Sequence, residues 1–191
     1  MSRFKPTIII LLFFAKASLA QSYADSIIAY RQHYKEDFIK ESRSPLKAKD
    51  TSYLRFYDVK KEYQLLAKLQ LTPEAKTFDM LTHSGKKQKY RQYALATFRL
   101  KGKKYTLSIY QSLSLISQEE YKNHLFLPFN DLTNSETTFG GGRYIDLSTE
   151  NIHNGTIVID FNKCYNPYCA YKDGYSCPIP PSENRLDFRI E

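Results

Sequence analysis

The stretch Tyr90–Ile109 reads YRQYALATFRLKGKKYTLSI. Tyr93, Leu95, Thr97 and Arg99 fall on one side of a two-residue period, the repeat of a strand and not of a helix. Lys101-Gly102-Lys103 interrupts the alternation as a hairpin tip would, and Tyr105, Leu107 and Ile109 resume it on the return. An antiparallel hairpin is therefore predicted here, and the flanking sequence repeats its grammar. Leu54–Tyr57, Tyr63–Leu71, Thr77–Thr82, Leu125–Phe129, Tyr144–Leu147, Thr156–Phe161 and Leu186–Ile190 are short apolar or alternating runs separated by turn residues. That spacing predicts about eight to ten strands with little helix between them, unlike a βαβ sheet. The expected fold is mainly β: a single-domain antiparallel sandwich or flattened barrel with one N-terminal α-helix.

Composition agrees with this reading. The 191 residues suit one domain with a sizeable core. Sixteen tyrosines and twelve phenylalanines, with no tryptophan, favour strands. With 42% hydrophobic and 25% charged residues, the chain should fold and not remain disordered.

The N-terminus is chemically distinct. Arg3 and Lys5 precede an apolar run from Thr7 to Ala15, and Ser18-Leu19-Ala20 places small residues where a signal peptidase reads. Residues 1–20 are expected to be a signal peptide cleaved after Ala20, which makes the product periplasmic or secreted. No cysteine follows that point to carry a lipid anchor, and the apolar run is too short to leave a stable membrane span. Cleavage would leave 25 basic against 20 acidic residues, a formal charge of +5 in place of +8. The lysines are scattered or sit on turn tips, as a solvated surface has them. Nucleic acid is not an expected partner. Residues 21–45 predict an amphipathic helix with Tyr23, Ile27, Tyr30, Tyr34 and Phe38 on one face. Ser22 and Asp25 have capping-box spacing at its start, and Pro45 disfavours helix before it. Residues 46–191 form the expected β domain.

Residues 125–189 hold the distinctive chemistry: Gly140-Gly141-Gly142, all three cysteines and a proline-rich run, Cys177-Pro178-Ile179-Pro180-Pro181. Consecutive glycines permit positive φ and close backbone approach, so they should enter the following strand through a bulge or sharp bend. The phrases TTFGGGRYIDL, DFN-x-x-YNPYCAY and YSCPIPPSENRL resemble the signature of an uncharacterised, mostly bacterial family, domain of unknown function 1684. The resemblance implies a mainly β domain after an N-terminal helix and assigns no activity.

Cys164, Cys169 and Cys177 are the cysteines of a chain expected in an oxidising compartment. Cys169 and Cys177 are the expected disulfide, closing a loop between two proline-anchored segments. The resemblance agrees, since the family usually has a small residue at the position of Cys164. A zinc site from these cysteines with His153, and a nucleophilic Cys169 served by His124 or His153, are the competing readings; no zinc spacing or local base supports either.

Arg143, Tyr144, Asp146, Asp160, Asn162, Tyr165, Asn166, Tyr168 and Tyr171 are the candidate ligand-binding residues. Tyrosine faces with directional amide, carboxylate and guanidinium groups suit a small ligand, glycan or peptide of the cell envelope. The bland reading of the same residues is turn-capping Asp and Asn, with Arg143 ion-paired to Asp146 or Asp160. No phosphate loop, Gly-x-Ser-x-Gly elbow or His-Glu-x-x-His is present, and no metal or cofactor is expected. Asp131, Asn134 and Glu136 form a calcium-like run better read as an acidic turn. The leading expectation is a non-catalytic envelope module. The alternatives are a hydrolase using carboxylates or Cys169 in the same region, and a purely structural module. Nothing in the sequence sets an oligomeric state.

Overall fold

A computed structural model describes the backbone of residues 7–191 and the side chains from Ser22 onward. Helix α1 (Thr7–Lys40) leads into seven strands: β1 (Gln64–Leu71), β2 (Thr77–Leu81), β3 (Lys87–Leu100), β4 (Lys103–Ser112), β5 (His124–Phe129), β6 (Arg143–Ser148) and β7 (Thr156–Asp160). They form one curled antiparallel sheet in the order β6-β5-β4-β3-β1-β7, and β2 pairs with the first half of β3. The expected mainly β single domain with an N-terminal helix is thus the fold, built on one sheet whose edge strands β6 and β7 come into contact.

The β3–β4 hairpin is the spine. Lys101 and Gly102 both adopt positive φ (49° and 80°), the geometry of a two-residue turn that matches strand twist. Ten residue pairs run from Leu100↔Lys103 to Tyr90↔Ser112. The register slips once, between Gln92 and Ala94, so Tyr93 bulges and the faces exchange there. Beyond the bulge Ala94, Ala96, Phe98 and Leu100 face the core, Leu95, Thr97 and Arg99 lie on the outer side, and the bulged Tyr93 packs against the main core.

The inner face collects Leu107, Ile109, Leu125, Leu127, Phe129, Ile145, Ile157, Ile159 and Leu186 into the main core. The outer face of β2–β6 is covered as well. Met80, Tyr90, Tyr110, Phe126 and Tyr144 are buried there with Cys177, beneath Tyr165, Tyr168 and Cys169 of the C-terminal segment. Covering both faces explains why β4 is buried along its last six residues without alternation.

One β4–β5 pair, Tyr110↔Phe126, is in register. Ser108 and Pro128 would be partners two residues along, but proline has no N–H to give. The side chain of Asn184 fills the gap. Its Oδ1 accepts from the Ser108 N–H at 2.7 Å, and its Nδ2 donates to the carbonyls of Ser108 and Pro128 at 2.8 and 2.7 Å.

Three expectations need correction. The helix runs without a break from Thr7, so Ser22 lies inside it and caps nothing. The expected cleavage point falls within α1, where side chains lie outside the described residues. Leu54–Tyr57 is not a strand: Leu54 packs on Phe38 and Leu46, and the Tyr57 carbonyl accepts from Arg31. Leu186–Ile190 runs beside residues 130–132 through isolated bonds and forms no strand of the sheet. Among the described residues no helix is long and apolar enough to cross a membrane.

Candidate functional site

Gly142 has φ +91°, and a Cβ there would sit 2.6 Å from Pro180 Cγ and 2.8 Å from the Phe129 carbonyl oxygen. A Cβ on Gly141 would strike the His83 ring at 2.2 Å. The glycines therefore serve close packing between the 139–142 bend, β5 and the proline run, and they deliver β6 with Arg143 pointing inward.

Arg143 is 4% exposed. Its Nη2 donates to Asp131 Oδ2 at 2.9 Å, to the Ile190 carbonyl at 2.9 Å and to Thr133 Oγ1 at 3.2 Å, and its Nη1 reaches Cys164 Sγ at 3.4 Å. Asp131 is saturated in turn: Thr133 Oγ1 donates to Oδ1 and the Ile190 N–H to Oδ2. The ion-pair partner of Arg143 is thus Asp131, not Asp146 or Asp160. Strand periodicity forbids Asp146, which shares the outer face of β6 with Tyr144 while Arg143 and Ile145 point in. Asp160 is taken by Tyr23 Oη at 2.8 Å and by Asn162.

Arg143 stands at one wall of a cleft of about 750 Å³. α1 contributes Arg31; the segment after it contributes Arg55, Phe56, Tyr57 and Asp58. The 136–139 turn, Cys164, Tyr165, Asn166, Tyr171 and the terminal Ile190-Glu191 complete it. Two residues of this lining each carry a buried polar atom with no partner among the described residues: Arg143 Nε and Asn166 Oδ1. Glu136 and Glu191 at the rim are both held by Arg189, at 2.5 and 3.1 Å. Burial pushes the Cys164 thiol up, with Arg143 pulling the other way, so the sulfur is a protonated apolar neighbour of the guanidinium. Burial also lifts Tyr165 well above the usual phenol range, aided by Asp146, which accepts from its hydroxyl at 2.7 Å.

Of the nine candidate residues, five line the cleft: Arg143, Asn162, Tyr165, Asn166 and Tyr171. Asn162 also staples α1 to the β domain, bonding Tyr23 Oη and both backbone groups of Lys60. The other four lie elsewhere. Tyr144 bonds the Pro178 carbonyl on the outer face. Asp146 joins Tyr165 to His124. Asp160 anchors Tyr23. Tyr168 packs its ring 4.8 Å from Phe38. The lining residues outside the sequence reading, Arg31 and 55–58, come from the other end of the chain and carry no local motif. Cys169 and Cys177 stand at disulfide distance, with Cα atoms 6.2 Å apart, and Cys164 is alone and buried. Among the described residues no cluster of three His, Cys, Asp or Glu side chains could hold a metal ion. Asp131, Asn134 and Glu136 form a turn: Asn134 Oδ1 accepts from the Asp131 N–H at 2.7 Å and Ser135 has φ 64°.

The profile of the family described as "Protein of unknown function (DUF1684)" matches residues 50–191. The chain belongs to the DUF1684 family. The match takes in every element after α1 that builds the cleft, and leaves Arg31 outside it. Among solved structures, the DUF1684 chain is similar to an uncharacterized protein of Haloarcula marismortui determined by solution NMR. The two share 26% sequence identity and a TM-score of 0.70, over 91% of this chain and 94% of that one. That coverage extends the likeness into the N-terminal helix. No curated protein matches the chain.

Proposed function

We propose that this DUF1684 protein is an exported, non-catalytic module that binds a small envelope ligand, a glycan or a short peptide in the cleft beside Arg143. One observation carries the reading: Arg143 and Asn166, whose buried Nε and Oδ1 are unpaired among the described residues, both line a single cleft. An unpaired buried donor or acceptor costs about 1–3 kcal/mol, a cost that a bound ligand offering the complementary group removes. Phe56, Tyr57, Tyr165 and Tyr171 supply apolar walls, the usual setting for a few directional polar groups. The secretory pattern of residues 1–20 supports export. A hydrolase is less well supported. Asp131 is saturated by three donors, and the Cys169 sulfur faces Cys177.

Native mass spectrometry of protein expressed with its leader would detect a co-purified small molecule. Ala170→Trp, which places a large ring in the cleft lining, should remove that mass while the chain stays folded. An exported chain that never carries a ligand, at native expression or after incubation with envelope extract, would defeat the reading.

A further inference from the structure

We propose that the open end of the outer sheet face, built on Lys68, Arg99 and Lys104 with Leu66 and Val158 beside them, docks the protein on the surface of an anionic lipid bilayer. None of these residues lines the cleft beside Arg143.

The three cations are scattered in sequence and gathered by register. Arg99 on β3 stands directly across from Lys104 on β4. Lys68 on β1 pairs with Thr97, which lies two residues from Arg99 on the same face. Side chains directly opposite in an antiparallel pair have Cβ atoms about 5 Å apart, and diagonal neighbours about 7–8 Å. Like charges so placed repel and weaken the sheet that carries them. The same hairpin tip holds its other lysines differently: Lys101 in the turn pairs with Glu62, and Lys103 beside it with Asp187. Lys68, Arg99 and Lys104 are exposed and have no carboxylate partner among the described residues. Residues 1–21 contain no Asp or Glu that could supply one. Arg99 Nη1 donates to the Gly102 carbonyl at 2.9 Å, a contact that leaves its charge unmatched. Thr97 and Thr106, which stand opposite each other beside the cations, bond hydroxyl to hydroxyl at 2.9 Å and bring no charge.

A flat cationic face suits many polyanions, and the aliphatic residues select the bilayer. Leu66 and Val158 are direct cross-strand partners on β1 and β7, on the face that Lys68 shares. Leu66 is 68% exposed and Val158 45%. Water-facing aliphatics beside unpaired cations match the interfacial region of an anionic membrane. Phosphates there meet the basic side chains, and the hydrocarbon just beneath receives the apolar ones. A soluble sulfated or phosphorylated polymer offers the two aliphatics no apolar partner.

Co-sedimentation of the full exported chain with sucrose-loaded vesicles tests this. Vesicles of equal parts phosphatidylglycerol and phosphatidylcholine should bind it at least tenfold more than phosphatidylcholine alone, and binding should fall as salt is raised. Lys104→Glu, which sets an acid across from Arg99, should cut binding at least fivefold. The same variant should raise the urea midpoint, so that its lost binding is not lost folding. Lys49→Gln, an exposed lysine away from the sheet, should change binding less than twofold. Leu66→Ser should weaken vesicle binding several-fold. Equal binding to the two kinds of vesicle, or wild-type binding by the Lys104→Glu variant, would overturn the proposal. Binding that dextran sulfate competes away completely and that Leu66→Ser leaves unchanged would assign the face to a soluble polyanion and overturn the bilayer.

Discussion

Asn184 and Asp131 show how much one side chain can hold. Asn184 is fully buried and bonds three backbone groups of β4 and β5 that would otherwise face each other across a missing N–H. Asn184→Ala should cost on the order of 3–5 kcal/mol in urea unfolding, since each buried group left unpaired costs about 1–3 kcal/mol. A loss under about 1 kcal/mol would mean that water replaces the amide. Asp131→Ala removes the countercharge of a guanidinium that is 4% exposed. The expected loss is about 3–5 kcal/mol, as for other buried pairs broken on one side. Wild-type stability in that variant would show that Arg143 finds another anion. Neither role is visible in sequence. The run Pro181-Ser182-Glu183-Asn184 reads as a turn, and its function as a rung between two strands depends on Pro128, 56 residues away.

At the level of elements, α1 and the cysteine loop act together. Phe38 sits among Tyr168, Tyr171 and Leu54, and the Tyr34 ring lies tilted against Tyr165, their centres 5.3 Å apart. The loop in turn covers the outer face of the sheet with Cys177. The Cys169–Cys177 pair, 8 residues apart, should contribute about 2–3 kcal/mol by restricting the unfolded chain. Protein prepared under oxidising conditions and then unfolded should titrate one thiol, Cys164; three thiols would refute the pairing. This element was legible because proline and cysteine act over short spans. Leu54–Tyr57 was misread as a strand because an apolar run has the same composition whether its backbone pairs with a sheet or, as here, with Arg31 of α1. The hairpin was read correctly in type, yet the exchange of faces at Tyr93 was not, because an extra residue in one strand is defined only against its partner.

For the molecule as a whole, buried phenols set the alkaline limit. Burial pushes Tyr30 and Tyr90 up to about 12, and lifts Tyr34 and Tyr165 well above their usual value. In the unfolded chain tyrosine titrates near pH 10. Above that pH the unfolded state binds fewer protons than the folded one, so stability must fall as pH rises. The contribution is complete below about pH 10 and is lost on climbing through 12, at about 1.4 kcal/mol per pH unit for each such tyrosine. Urea midpoints at pH 9, 10.5 and 11.5 should decline in that order, with phenolate absorbance rising further when the buried rings are released on unfolding. A flat midpoint across the range would contradict the burial of these rings.

The class of fold, the central hairpin, the stiff C-terminal loop and its cysteine partners follow from residues within about twenty positions of one another, where strand period, proline and glycine geometry and loop closure operate. Arg143's countercharge is only 12 positions away, yet choosing Asp131 takes the fold of the 131–138 turn against β6. The assembly of Arg31, residues 55–58 and Asn166 around one cleft does not follow from any such span. Those residues are brought together by the curl of the sheet and the seating of α1, and no local period encodes contacts that span more than a hundred residues.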